Sequence, residues 1–496
     1  MQASDWLHLG TLVMAAHVLG VIAAIHAVIN TRTSQGAVAW AVSLVAMPYF
    51  TLIPYLFLGR SKFAGYIDER RLEIEILRSR SKPAEWDSGA RSDAPETAAL
   101  VDASGARGEI APGPAAYLGN PTIRTLQRLS GMPFLRGNSA RVLINGDATF
   151  NAILEAIAAA ERYVVVQFFI VRADELGDKL KDALIKKAQA GVRVYFLYDS
   201  IGSFDLPHRY VNALRAGGVE AHPFAATRKF VHRFQINFRN HRKIVVVDGK
   251  CAFVGGHNVG VEYLGGNPRL SPWRDTHVEV RGPAVASIQF VFTEDWYWAT
   301  QRLPELGPAP HSDGNMHCMV LSSGPADKQE TCSLFFVEAI NAARERIWIT
   351  SPYLIPDEAV FSALRLAVMR GVDVRILIPS RRDHRVVFAA SRLYAYDLVQ
   401  AGVRIFRYQP GFLHQKVVLV DDIAASIGSA NLDNRSFRLN FEITVLTVDR
   451  AFASQVESML LADFAESFEI DSDDYRGKAF WRRMAMHVAR LFSPIL

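Results

Sequence analysis

The chain has 496 residues, about three times a typical domain length of roughly 150, so two or three packed units are expected and a small disulfide-stapled scaffold is excluded. Half of the residues are apolar and 21% are charged, which excludes a wholly disordered chain and a many-span transporter. The net charge of +5, from 55 basic and 50 acidic residues, favours no partner by itself, and three cysteines without CxxC spacing argue for a reducing compartment.

Two apolar stretches open the chain, 23 residues from Leu7 to Ile29 and 22 from Ala37 to Leu58, and neither contains Asp, Glu, Lys or Arg. Each is long enough for a bilayer core of about 30 Å, so two membrane helices are expected. No Lys or Arg precedes the first and a second follows at once, which argues against a signal peptide. The connection Asn30 to Gly36 holds only Arg32, whereas Arg60, Lys62, Arg70, Arg71 and Arg78 follow the second stretch. Positive charge stays inside, so both ends of this hairpin and the bulk of the chain are expected in the cytoplasm. His8, His17 and His26 are nine residues apart, half a revolution each time, so they do not converge on one face and read as packing residues. Pro48 and Pro54 are tolerable in a membrane helix.

Tyr66 to Arg80 reads as a short helix, and Lys82 to about Pro114, rich in Ala, Gly, Ser, Pro and Asp, as a linker. An internal repeat follows. Ala156-Ile157 and Tyr163 to Gln167 correspond to Ala339-Ile340 and Arg346 to Thr350, in each case a helix leading into a strand. In Ala190 to Val194 and Arg370 to Val374 a glycine ends a helix and starts a buried strand. His241, Lys243, Asp248, Gly255 and Asn258 then match His414, Lys416, Asp421, Gly428 and Asn431, every pair 173 residues apart. Alternating helices and β-branched strands predict an α/β sandwich in each half, and two similar halves predict a pseudo-twofold arrangement around one cleft.

Each copy reads His-x-Lys-x4-Asp. Residues i and i+2 of a strand share a face, so each imidazole lies beside an ammonium, a pairing suited to phosphate chemistry: one group attacks or donates a proton while the other neutralises oxygens. Ile244 to Val247 and Val417 to Val420 continue as buried strand, and Asp248 and Asp421 turn the chain at its far end, where turn capping or an ion pair is the expected role. Asn258 and Asn431, with Ser429 beside the latter, are candidates for contacting the phosphoryl oxygens. Two lysines and two asparagines leave no need for a metal or a cofactor. His311, Asp313, His317 and Cys318 form a metal-like cluster, but in a Pro- and Gly-containing stretch that reads as a solvated loop.

With these residues the chain resembles the phospholipase D superfamily, marked by two copies of HxKxxxxD followed by a Gly or Ser and an Asn. Asn237 to Lys243, Gly255 to Asn258, Glu262 to Gly265, Trp273 to His277, Gly411 to Lys416 and Asn431 to Phe437 are more narrowly similar to bacterial cardiolipin synthases, as is the two-span N-terminus with Trp40, Pro48, Pro54, Tyr55 and Gly59. The resemblance implies phosphatidyl transfer between two phosphatidylglycerol molecules at the inner membrane, through a phosphohistidine, with His241 as nucleophile and His414 as acid and base. One neutral and one protonated histidine is then the expected starting state. Carboxylates are expected to hold the non-reacting ring nitrogens. Glu442, 28 residues after His414, fits at the start of a strand; in the first copy Asp275, opening Thr276 to Val280, matches better than Glu262, with six residues inserted.

Arg228, Lys229, Arg233, Arg239, Arg242 and Lys243 alternate with Phe230, Phe234 and Phe238, and no acid interrupts them. Beside a membrane hairpin this strip suits anionic lipid headgroups better than nucleic acid, leaving anionic phospholipid as the expected partner. Phe480 to Leu496 places Trp481, Met484, Val488, Leu491 and Phe492 near helical spacing with Arg482, Arg483 and Arg490 elsewhere, so it either lies flat on the membrane or packs on the body. The expected order is two membrane helices (1–60), a juxtamembrane helix and linker (61–115), two phospholipase D-like halves (116–310 and 311–479) and a basic amphipathic segment (480–496).

Overall fold

The computed structural model describes residues 3–31, 34–59, 116, 118–225, 237–308 and 314–496. The juxtamembrane helix and linker, Arg228 to Phe234 of the basic strip, and His311 and Asp313 lie outside these residues.

Helix α1 (Ala3–Asn30) contains an uninterrupted apolar span, Gly10–Asn30. The second apolar stretch is not one helix, as the sequence suggested, but two: α2 (Ser34–Ala46) and α3 (Pro48–Leu58). Pro48 has no N–H to continue the ladder and forces its predecessor out of helical geometry, and Met47 sits at φ −140°, ψ 58°. The Thr51 hydroxyl lies across the break, 2.8 Å from the Met47 carbonyl and 3.1 Å from that of Ser43, while Pro54 is absorbed within α3. At Gly20 a Cβ would stand 2.4 Å from the Leu44 carbonyl oxygen, so α1 and α2 approach at a position only glycine permits. His26 Nδ1 lies 2.6 Å from the Tyr55 hydroxyl and the His17 ring meets the edge of Tyr49, so two of the three histidines pack against tyrosines of α3.

The remainder is a duplicated α/β body. In the first half Tyr163–Phe168, Arg193–Asp199 and Glu220–Phe224 run parallel, and Ile244–Val247, Cys251–Gly255, Thr276–Arg281 and Leu135–Ile144 extend the sheet antiparallel. In the second half Arg346–Thr350, Asp373–Pro379 and Arg404–Tyr408 are the parallel strands, and Val417–Val420, Ala424–Gly428, Asn440–Val448 and Met316–Ser323 the antiparallel ones. Leu135–Ile144 and Met316–Ser323 pair antiparallel, so both halves share one continuous sheet with the repeat axis at that seam. Gly191 and Gly371 have φ of +88° and +84°, the left-handed conformation with which a helix stops before a strand begins.

Helices 145–158, 175–189 and 208–216 cover the outer face of the first half, and 331–342, 358–369 and 385–400 that of the second. The inner faces share one core, into which Ala284–Thr300 and Arg450–Ala465 pack with Val280, Val320, Leu413 and Val445. Cys251, Cys318 and Cys332 are all free and buried. His317 and Cys318, read from the sequence as part of a loop, lie on the seam strand Met316–Ser323, and no three metal-ligating side chains gather among the described residues.

Candidate active site

Both histidines are carried into the seam by short backbone pairings that exchange between the halves. Arg239–Asn240 pairs parallel with Asn440–Phe441, and His241 N–H donates to the Phe441 carbonyl at 2.9 Å. Phe412–Leu413 pairs parallel with Trp273–Arg274, and His414 N–H donates to the Arg274 carbonyl at 2.7 Å. Each histidine is thereby set beside the residue that follows the other half's paired dipeptide.

That residue is a carboxylate in both cases. His241 Nδ1 donates to Glu442, 3.0 Å from either oxygen, and His414 Nδ1 donates to Asp275 at 2.7 Å. Aligning the copies set each carboxylate with the histidine of its own copy; the structure crosses them, Asp275 onto His414 and Glu442 onto His241. Glu262, the alternative in the first copy, faces Arg172 at 3.8 Å and does not reach His241. With Nδ1 committed, Nε2 is the nitrogen each ring can offer to phosphorus.

Glu442 is held by a cage of donors: the Ser429 hydroxyl at 2.5 Å, the Ser436 hydroxyl at 2.8 Å and Asn440 Nδ2 at 3.1 Å. Ser429, expected at the phosphate, is therefore spent on orienting Glu442. Its counterpart in the first copy is Gly256, where a Cβ would fall 2.1 Å from Asp275 Oδ1. The Gly/Ser alternation thus has a local cause: the shorter Asp275 is approached by bare backbone, while Glu442 is gripped by a hydroxyl. Ser436 and Asn440 were missed from the sequence, although Ser436 lies within the string Asn431 to Phe437.

Lys243 and Lys416 point to the same side as their histidines, and each ammonium donates to the carbonyl of the histidine two residues before it, at 2.6 Å for Lys243. Each lysine also depresses the other copy's histidine, so the four groups share one centre. Phe169 lies edge-on to His241 at 5.0 Å and Trp273 against His414 at 5.1 Å, which limits water at both rings.

Burial pushes His241 down to about 4, more strongly than Glu442 raises it, and burial together with Lys416 does the same to His414 against Asp275. Both shifts favour the neutral ring, in place of the expected one neutral and one protonated histidine. Burial also lowers Lys243 to about 7 and Lys416 to about 8. Burial thus disfavours charge on all four groups, and a neighbouring anion would favour it on the lysines.

Asp248 and Asp421 do not enter this centre. The Asp248 carboxylate accepts from the backbone N–H groups of Glu161, Arg162 and Tyr163 at 2.7 to 2.9 Å, and Asp421 accepts from those of Arg344, Glu345 and Arg346. Burial would raise the Asp248 carboxyl, but these donors hold it below its ordinary value. Both aspartates have φ above +50°, as the sharp turn they end requires. Asp248→Ala is expected to lower the thermal midpoint by an amount equivalent to about 2–4 kcal/mol, since three N–H groups lose their acceptor, while turnover per folded molecule is retained. A loss of turnover with an unchanged midpoint would place Asp248 in the chemistry.

Asn258 is occupied, with Oδ1 accepting from the Ile170 N–H at 3.1 Å and Nδ2 donating to the Tyr263 hydroxyl at 3.3 Å. Asn431 keeps a buried Oδ1 without a hydrogen-bond partner among the described residues, but that atom is an acceptor and its amide group bonds Asp433, so neither asparagine holds a spare donor for a phosphoryl oxygen. Two buried ion pairs brace the seam. Arg242 binds Asp295 at 2.7 Å and reaches the Glu442 carbonyl; Arg274 binds Asp463 at 2.7 and 2.8 Å, and Gln415 donates to the same carboxylate.

The family model described as cardiolipin synthase, PLD-like domain, matches residues 153–285 and again 336–464, and a phospholipase D-nuclease N-terminal model matches residues 18–60. Cardiolipin synthase A of Pseudomonas aeruginosa is 57% identical over 491 residues, spanning 99% of this chain and 96% of its own length. The enzyme of that name from Pseudomonas entomophila is 55% identical over 98% of both chains. The crystal structure of phosphatidylserine synthase from Haemophilus influenzae superposes on 76% of this chain and all of its own with a TM-score of 0.57 at 16% identity, a likeness of fold. Two matched repeats and a near full-length relative at this identity agree with the duplicated body and its paired histidines: the chain belongs to the cardiolipin synthase family of phospholipase D-like phosphatidyltransferases.

Proposed function

We propose that this enzyme forms cardiolipin from two molecules of phosphatidylglycerol. The observation that carries the reading is the crossed pair of histidines, each backed by a carboxylate of the other half and flanked by buried lysines, at a single centre. His241 Nε2 attacks the phosphorus of the first phosphatidylglycerol, the bond to the glycerol oxygen breaks, and His414 gives that oxygen its proton. Glycerol leaves. A headgroup hydroxyl of the second phosphatidylglycerol loses its proton to His414 and attacks phosphorus, and the P–N electron pair returns to His241. One phosphodiester is broken and one made, so no nucleotide is consumed. Lys243 and Lys416 neutralise the non-bridging oxygens.

Glu442 keeps Nδ1 of His241 protonated, so its Nε2 lone pair is free for attack, and Asp275 stabilises the imidazolium that His414 becomes. The substrate's negative charge opposes the lowering by burial and Lys416, raising His414 when it binds. Free lysines near 7 and 8 fix the pH response: kcat/KM is expected to fall as pH rises through about 7 to 8, because the form that attracts the phosphodiester loses its charge. A plateau extending beyond pH 9 would contradict this.

The same reading places the enzyme in a bacterial inner membrane with two crossings, α1 and the broken α2–α3 unit. The arginines after residue 59 keep the body on the cytoplasmic side. Incubation of the purified full chain with phosphatidylglycerol vesicles tests the activity. Cardiolipin and glycerol should appear in equal amounts; phosphatidic acid in place of cardiolipin would make the enzyme a hydrolase.

A further inference from the structure

The helix Phe480–Arg490 is docked on one face and bare on the other. Met486 and Ala489 are buried toward the body, Arg490 binds Asp397 at 2.6 Å and stacks over Tyr394, and both partners belong to the helix Arg385–Gln400. The chain end is tied down as well, the Leu496 carbonyl accepting from Arg435 N–H at 2.8 Å. Arg435 Nη2 in turn donates to the Asn237 carbonyl at 2.7 Å, four residues before His241. The segment is thus fixed in rotation and fastened close to the active-site strand.

On the side opposite Met486 and Ala489 stand Phe480, Trp481, Met484, Val488, Leu491 and Phe492, all exposed, with Trp481 at 77% and Leu491 at 78%. At 100° per residue they occupy about 120° of the helix circumference. Arg483 falls on one flank of this stripe and stacks over Tyr475, whereas Arg482 falls in angle between Ala489 and Met486; no carboxylate pairs with either among the described residues. The sequence allowed two readings of this segment, packing on the body or lying on the membrane, and the two faces permit both at once.

We propose that this stripe is a second membrane contact, lying in the interface of a bilayer that contains anionic lipid and holding the catalytic body against it. Three observations select lipid as the occupant. The stripe is a smooth row of aromatic and aliphatic side chains with a fully projecting tryptophan, the composition that partitions at headgroup depth. Its flanking cation, Arg483, carries no carboxylate partner among the described residues and is complementary to an anionic surface. The chain already enters a membrane at α1, so the bilayer is at hand throughout. A body so held would present its cleft to headgroups without lifting a whole lipid into water. The inference requires membrane association but not a particular phosphatidyl acceptor.

Because the three native cysteines are buried, single cysteines placed at Trp481→Cys, Leu491→Cys and, as a control on the outer helix of the first half, Lys179→Cys can be labelled selectively with an environment-sensitive dye in the full chain. The chain is reconstituted in phosphatidylethanolamine and phosphatidylglycerol vesicles with and without doxyl-labelled phosphatidylcholine. Quenching of about threefold at positions 481 and 491, but not at 179, is expected, weakening when phosphatidylcholine replaces phosphatidylglycerol. Absence of quenching overturns the proposal, as does a dye that is shielded yet unquenched, which would mean that residues 60–115 or a second copy covers the stripe; equal quenching at 179 overturns it too. The doubly charged variant Trp481→Glu/Leu491→Glu should turn over vesicle phosphatidylglycerol about tenfold more slowly, with unchanged rates in detergent mixed micelles. Equal losses in both media would contradict a membrane role. The dye readings do not depend on turnover, so they stand or fall apart from the proposed reaction.

Discussion

Replacing His241 or His414 by Asn is expected to lower cardiolipin formation by about 10⁴-fold or more, with the folded state preserved. Asparagine keeps a donor near the position of Nδ1, so Glu442 and Asp275 retain a hydrogen-bond partner and are not left as bare buried charges. What is lost is Nε2, the only atom of either side chain suited to attack phosphorus or carry a proton to the leaving oxygen. The two losses should not multiply: the double variant should be about as slow as either single one, because both histidines serve one two-step exchange. Rates from vesicle assays, with circular dichroism and thermal midpoints as folding controls, check this. A variant retaining more than a few per cent of turnover would remove that histidine from the chemistry.

The crossed carboxylates carry the second large effect. Glu442→Gln is expected to slow turnover by about 10²–10⁴-fold, and Asp275→Asn by a similar factor, because each amide can present its NH₂ to Nδ1 and so favour the wrong tautomer or leave an imidazolium unsupported. The steps affected should differ. Since Glu442 backs His241, its amide variant should slow the burst of glycerol release; since Asp275 backs His414, its variant should slow both release and the second transfer, most where the leaving group needs its proton. Glu442→Gln also disturbs the Ser429, Ser436 and Asn440 donors gathered on its oxygens, so part of its cost will be in stability. Glu262→Gln, on a side chain directed at Arg172, should change turnover by less than about twofold. If Glu262 outranked Asp275, the crossed arrangement would be wrong.

Much of this centre was legible in the chain itself because the duplication exposes it. Five identities at one offset of 173 residues located both histidines and both lysines, and the alternation rule put each His and Lys on one side of its strand. The same comparison aligned Asp275 with Glu442 across a six-residue insertion. It could not show which histidine each carboxylate serves, since that depends on dipeptide pairings between the halves, Arg239–Asn240 with Asn440–Phe441 and Phe412–Leu413 with Trp273–Arg274. Two-residue pairings leave no periodicity to read.

Ser429 shows a different limit. A serine after a glycine near a phosphate site reads as a ligand, and only the position of Glu442 shows that its hydroxyl is already committed. Asp463 and Asp295 carried no signal at all, because each is one of two acids on a largely apolar helix, meaningful only through Arg274 and Arg242. The break in the second apolar stretch was written in Pro48, but hydropathy averages over the break that the missing N–H creates. The reading of Asp248 and Asp421 as turn caps agrees with the six backbone N–H groups that they receive, because a positive-φ turn with an acid at its corner is a local feature.

The account rests on a phosphatidyl group passing through His241, and the most direct measurement is to trap it. His414→Asn retains the nucleophile but lacks the acid and base, so incubation with phosphatidylglycerol labelled in its phosphate, followed by alkaline denaturation and peptide mapping, should find label on the peptide containing His241. His241→Asn treated in the same way should hold none. Label on the His414 peptide of the His241→Asn variant, with none at His241, would contradict the assignment and exchange the roles of the two histidines.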